Sequence, residues 1–183
     1  MLFSAKHRGA IEITAETFAF FVKELLSSDG YTQLPTQMLE KALDRISSEN
    51  HSTVLRRSAG IPPTIIAILR AEPALVKAAR CYNMKRGVTV KKPEETLLLN
   101  KTLDFLLAQF DVADQKDDNK IHAFNIMRVV FNDSFLRYEI NTYITRAMIV
   151  SMENFNSDNW SIRNSAQMNF TSLIKRLFDN FHI

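Results

Sequence analysis

From Ile11 onward apolar residues return every three or four positions. Ile11, Ala15, Phe18, Ala19, Val22, Leu25 and Leu26 fall on one side of a helix before Ser27-Ser28-Asp29-Gly30 stops the run. The same period recurs along the chain. Met38, Leu39, Ala42, Leu43 and Ile46 trace a second helix, with Pro35 suited to its first turn, and the polar stretch Ser47 to Ser52 reads as a loop. Ile65, Ile66, Ile68 and Leu69 follow the interruption Gly60-Ile61-Pro62-Pro63 and stop at Glu72-Pro73, so a helix is predicted to end at Gly60 or to kink there. Ala74 to Tyr82 reads as a short helix and Asn83 to Pro93 as a basic loop around Gly87.

Leu97, Leu98, Leu99, Leu103, Leu106, Leu107 and Phe110 give the next helix, ended by the acidic, polar connector Asp111 to Asn119. Ile121 to Phe131 is apolar on nearly every side, which predicts a helix covered all round and placed at the centre. A compact turn at Asn132-Asp133-Ser134 leads to a single stripe of Ile140, Tyr143, Ile144, Ala147, Met148, Ser151 and Phe155. Trp160 to Phe178 forms the last strong helix, with Ala166, Phe170, Leu173, Ile174 and Leu177 inward. With only four glycines and five prolines among 183 residues, few positions favour tight turns, and an all-α chain follows.

Successive antiparallel helix pairs predict an α-solenoid of HEAT/armadillo-like pairs, each burying its apolar face against its neighbours. A chain of this length buries about 70% of its unfolded surface in one unit, so residues 1–183 are expected to be a single helical-repeat domain. Its last residues include the apolar run Leu177-Phe178-Asp179-Asn180-Phe181 with no polar cap, an ending expected of a segment of a longer solenoid or of a chain leaning on a partner.

Several kinds of chemistry find no support. Gly9, Gly30, Gly60 and Gly87 are mutually remote, so there is no Gly-rich turn to cradle a nucleotide or S-adenosylmethionine, and no cofactor is expected. His7, His51, His122 and His182 show no HExxH or paired spacing, and no metal site is expected; His122 reads as a core or near-core side chain with a hydrogen-bond partner. Cys81 stands alone beside Arg80 and Lys85 without a His or carboxylate placed to activate it, so it reads as a structural thiol. The opening residues lack the apolar core of a secretory signal and no run approaches the ~20 residues of a membrane span, so a soluble, cytoplasmic protein is expected. A net charge of +3 does not by itself argue for nucleic acid. Arg80, Lys85, Arg86, Lys91 and Lys92 cluster without an acid between them, and Asp111, Asp114, Asp117 and Asp118 cluster later; both groups read as solvated loops.

Arg56-Arg57-Ser58-Ala59-Gly60-Ile61-Pro62 stands out. Adjacent arginines on a helix point about 100° apart, so at most one can face a given partner squarely. The small residues beside them lower the surface enough for a second backbone or a phosphate ribbon to come close. Two readings stay open here: a binding surface, or a tight helix crossing flanked by two solvated arginines. Part of the pattern returns as Ile162-Arg163-Asn164-Ser165-Ala166, where an acid in the preceding turn, Asp158, is expected to bond Arg163 and give it a structural duty.

The Arg56 to Pro62 motif resembles the hallmark of the thyroid adenoma-associated protein family. Three further stretches agree in order. Lys6-His7-Arg8-Gly9-Ala10 is similar to the family's His-Arg-Gly-Ala element, His122-Ala123-Phe124-Asn125-Ile126-Met127-Arg128 to its His-Ala-Leu-Asn-Ile-Leu-Arg helix, and Trp160-Ser161-Ile162-Arg163-Asn164-Ser165 to its Trp-x-Val-Arg-Asn-Ser segment. Phe124 and Met127 stand where the family has Leu.

The resemblance implies a non-catalytic regulatory subunit. In that role it would support 2′-O-methylation of a ribose in the tRNA anticodon loop by a separate FtsJ-like methyltransferase, which carries the cofactor. Arg56, Arg57, Ser58, Ala59, Gly60, Ile61 and Pro62 would then contact that enzyme or the tRNA anticodon stem-loop, with Lys6, His7 and Arg8 as a basic extension and His122, Asn125, Arg128, Trp160, Arg163 and Asn164 as structural motif residues. The rival expectation is a helical-repeat scaffold that binds proteins and never touches RNA.

Overall fold

Each strong apolar stripe is realised as a helix. The computed structural model describes residues 8–28, 30, 31, 33–48, 60–72, 97–136 and 140–181. Within them lie α1 (Arg8–Ser27), α2 (Leu34–Ser48), α3 (61–72), α4 (Leu97–Ala108), α5 (Asp117–Asn132), α6 (Asn141–Glu153) and α7 (Trp160–Phe181), and no strand. The expected short helix at 74–82 and basic loop at 83–93 lie outside the described residues.

Local chemistry sets the boundaries. Gly30 follows α1 with φ of 95°, a left-handed conformation that only glycine adopts without strain, although no atom crowds the place of a Cβ. Pro35 falls in the first turn of α2, where a missing N–H costs nothing. Gly60 is a turn residue, and its carbonyl accepts both the Thr64 N–H at 3.2 Å and the Thr64 hydroxyl at 2.7 Å. Pro62 and Pro63 therefore occupy the opening turn of α3, the place where proline is tolerated in a helix.

The connector after α4 is shorter than its acidic composition predicts. Asp117 and Asp118 begin α5, where carboxylates oppose the positive end of the helix dipole. Side-chain amides staple what remains of the connector: Gln109 Nε2 donates to the Phe105 carbonyl, Gln115 Nε2 to Gln109 Oε1, and Asn119 Nδ2 to Gln115 Oε1.

The core forms around α5, as its all-round apolar sequence predicts. This helix packs most extensively on α7 and also on α4 and α2. Phe124 and Phe131 are fully buried, and the Phe124 ring meets Phe110 with centroids 4.5 Å apart. Outside this centre, α1 lies on α2, α2 on α4, α4 on α6 and α6 on α7, the last joined by the edge-on pair Phe155 and Phe170. The face of α7 differs from the apolar stripe expected of it. Ala166 and Leu173 are buried, but so are Ser165, Asn169, Ser172 and Arg176, which share a helical spacing and form a polar seam. Among the described side chains of α1 only Ile11 and Val22 are buried, while Ile13, Phe20 and Phe21 are exposed. No helix among the described residues is long and apolar enough to cross a membrane.

Candidate functional site

The polar seam of α7 meets the end of α5. Helices leave their last carbonyls without partners, and a buried end needs donors from elsewhere. Arg176 supplies them: its Nε donates to the Phe131 carbonyl at 2.8 Å and its Nη2 to the Asp133 carbonyl at 2.9 Å. Asp133 turns extended and stops α5. Its carboxylate is almost fully buried, accepting the Phe135 N–H at 2.8 Å on Oδ1 and Arg70 Nε at 2.7 Å on Oδ2. Arg70 comes from the last turn of α3 and keeps 42% of its side chain exposed, with its guanidinium 5.4 Å from the centre of the Phe135 ring.

Glu72, the last described residue of α3, fixes where α4 starts. Its carboxylate oxygens accept the Leu98 N–H at 3.1 Å and the Leu99 N–H at 3.3 Å, two of the donors that a helix start leaves free. Burial nevertheless pushes the Glu72 carboxyl above the ordinary carboxylate range, outweighing the backbone N–H groups of Leu98, Leu99 and Leu97 that pull it down.

These anchors bring α3, α5 and α7 together around a cleft of about 610 Å³. Ile66, Val129 and Met168 give it apolar surface, and Arg70, Arg128 and Lys175 give it positive charge. Asn132 joins two walls by donating from Nδ2 to Ser172 Oγ at 2.8 Å. Arg128 Nη1 lies 3.4 Å from Met168 Sδ, a weak acceptor.

Part of the expected site falls inside this frame. Gly60 and Ile61 are buried and Pro62 is half-buried, so the described end of the Arg56 to Pro62 motif starts α3, the helix that delivers Ile66 and Arg70 to the cleft. Arg56, Arg57, Ser58, Ala59, Lys6, His7 and the side chain of Arg8 lie outside the described residues. His122 is buried and engaged, and Asn125 is half-buried. Arg128 lines the cleft, and Asn164 Nδ2 lies 3.7 Å from the Met168 sulfur that Arg128 also touches.

Arg163 has a structural partner of a different kind from the one its sequence predicts. Its Nη1 donates to the main-chain carbonyls of Ser157 at 2.6 Å and Asp158 at 3.0 Å, bracing the turn before α7 through the backbone and not through the Asp158 carboxylate. Trp160 is 67% exposed at the start of α7.

Arg70, Asp133, Lys175 and Arg176 carried no signal that linked them in the sequence, because their meeting depends on how three helices cross. The one usable trace was the spacing of Ser165, Asn169, Ser172 and Arg176, polar residues on a helical face that packs inward.

A family model described as THADA/TRM732, DUF2428 matches residues 1–161. The chain belongs to this family. Among curated THADA/TRM732 relatives, a mouse protein named "tRNA (32-2'-O)-methyltransferase regulator THADA" is 32% identical over 187 residues, covering 97% of this chain and 9% of the relative. Its human namesake is 32% identical over 182 residues, covering 97% and 8%. The fission yeast "tRNA (32-2'-O)-methyltransferase regulator trm732" is 30% identical over 186 residues, covering 97% and 11%. The chain thus spans about a tenth of the length of these THADA/TRM732 proteins. No solved structure matches it significantly.

Proposed function

We propose that this chain is a helical-repeat segment of a non-catalytic regulator. It supports 2′-O-methylation of a ribose in the tRNA anticodon loop by a separate FtsJ-like methyltransferase acting in the cytoplasm. The observation that carries the reading is near-complete alignment of the chain with proteins named as regulators of a tRNA (32-2'-O)-methyltransferase, in fission yeast as in mammals. A HEAT/armadillo-like solenoid over residues 1–183 is supported by helices that pack chiefly on near neighbours in the chain. Arg56 and Arg57 hold or orient the enzyme or the phosphate backbone of its tRNA, with Lys6, His7 and Arg8 extending the basic strip, while Gly60, Ile61 and Pro62 set the start of α3.

The test is tRNA ribose methylation by the partner enzyme in the presence of the intact protein, native or carrying Arg56→Ala/Arg57→Ala. Losing one charge-assisted hydrogen bond at a phosphate costs about 1.5–3 kcal/mol, so stimulation is expected to drop about tenfold or more. Unchanged stimulation by a folded double variant rules the role out. The exposed Ile13, Phe20 and Phe21 of α1 favour a second reading, a scaffold that binds only proteins. Under that reading no salt-dependent tRNA binding is seen, whereas RNA contact gives an affinity that falls steeply as salt rises.

A further inference from the structure

We propose that the cleft between α3, α5 and α7 is a ribose-phosphate site that takes the backbone of an RNA strand. The inference rests on the reading that the chain acts on tRNA, and places the contact at residues that reading does not use.

Charge comes first. Arg70, Arg128 and Lys175 stand against a single carboxylate, Asp133, so the lining holds a surplus of two positive charges. Asp133 is no counterweight to a ligand, because it is buried and already holds Arg70 Nε and the Phe135 N–H. The negative end of α5 is neutralised in the same way by Arg176. The remaining cations are uncommitted among the described residues: Arg128 makes one weak hydrogen bond, to a thioether, and Lys175 has no acidic partner. Two such cations on facing helices form a seat for phosphate oxygens.

The hydroxyls narrow the ligand further. Thr171 Oγ1 donates its hydrogen to the Gln167 carbonyl at 2.9 Å, so it offers an incoming ligand only lone pairs. Ser172 Oγ donates to the Met168 carbonyl and receives Asn132, with the same result. Lone pairs beside cations repel a second anionic oxygen and welcome a hydroxyl. A ribose phosphate carries both, an anion for Arg128 and Lys175 and a 2′-hydroxyl for Thr171, whereas an acidic side chain of a protein brings only the anion. Ile66, Val129 and Met168 supply the apolar surface that a sugar or base edge needs, and a volume of about 610 Å³ is of the size that small ligands occupy.

The experiment measures binding of fluorescently labelled tRNA by the intact protein across a salt series. The native protein is compared with Arg128→Ala/Lys175→Ala, Thr171→Val and a Lys101→Ala control on the α4 surface, with thermal melts establishing that each is folded. The double variant is expected to bind about tenfold more weakly at low salt. Its logarithmic salt slope should become shallower by about 1.4, the loss of two single-strand phosphate contacts. Thr171→Val is expected to lower affinity for an RNA strand two- to threefold, with no change for the DNA strand of the same sequence.

Unchanged tRNA affinity in the double variant, or an equal loss in Lys101→Ala, overturns the cleft assignment. So does loss of the partner enzyme with tRNA binding intact, which assigns the cleft to an acidic protein segment. If the double variant keeps both tRNA binding and stimulation of methylation, the cleft assignment fails alone. If the native protein neither binds tRNA nor stimulates methylation, the functional reading falls with it.

Discussion

Arg176→Met tests whether the end of α5 depends on a side chain borrowed from α7. Methionine keeps most of the apolar stem and removes the guanidinium, whose Nε and Nη2 hydrogen bonds satisfy the Phe131 and Asp133 carbonyls. Each buried carbonyl left without a donor costs about 1–3 kcal/mol, and losing a cation at a helix C-terminus adds up to about 2 kcal/mol in a buried setting. Against this, removing a desolvated charge returns part of its burial penalty. Setting these together gives a destabilisation of about 4 kcal/mol, a large part of the roughly 5–15 kcal/mol that holds a domain folded. For a chain of this size each kcal/mol moves the midpoint by about 2–4 °C, so thermal denaturation is expected to shift down by about 8–16 °C. Arg176→Lys should fall between, because one ammonium cannot reproduce the planar fork that spans both carbonyls. A shift below about 4 °C for Arg176→Met would refute the reasoning, since it would mean that water or a rearranged turn satisfies those carbonyls as well as the arginine does.

Two further outcomes follow from the core and from burial. Phe124→Ala removes a fully buried ring packed at a tilt against Phe110 and is expected to cost about 3–5 kcal/mol by urea denaturation; a loss under about 1.5 kcal/mol would mean that the core around α5 collapses into the space. Glu72 has a folded pKa raised above its unfolded value of 4.5, so its contribution favours the folded state below that value and is lost as pH rises through the raised one. The stability of the native chain relative to Glu72→Gln is therefore expected to be greatest near pH 4 and to decline towards neutrality, and an advantage that grows with pH would contradict the burial argument.

The helices were legible because a period of 3.6 residues is written in the chain itself. Ile121 to Phe131 announced a central helix by being apolar on nearly all sides, and α5 is central. The Gly60-Ile61-Pro62-Pro63 interruption marked a break or kink at Gly60, and α3 begins just after it, with the prolines in a first turn that does not need their missing donors. In two places expectation and structure part through local backbone effects. The connector after α4 was shortened by carboxylates entering the first turn of α5, and Arg163 was claimed by two backbone carbonyls where composition pointed to Asp158.

By itself the sequence determined the helical class, most helix positions and the family, because these rest on local periodicity and on motifs read in order. Only the tertiary structure decided the cleft. Arg70, Arg128 and Lys175 sit on three helices and Asp133 just past the end of one, and their charges bear on one another only once packing brings those helices together. The same packing decided which charges are spent. Arg176 and Asp133 are consumed in closing the buried end of α5, and Arg128 and Lys175 are left facing the cleft. Desolvation and hydrogen-bond geometry draw that distinction, and neither has a counterpart in the order of residues along a chain.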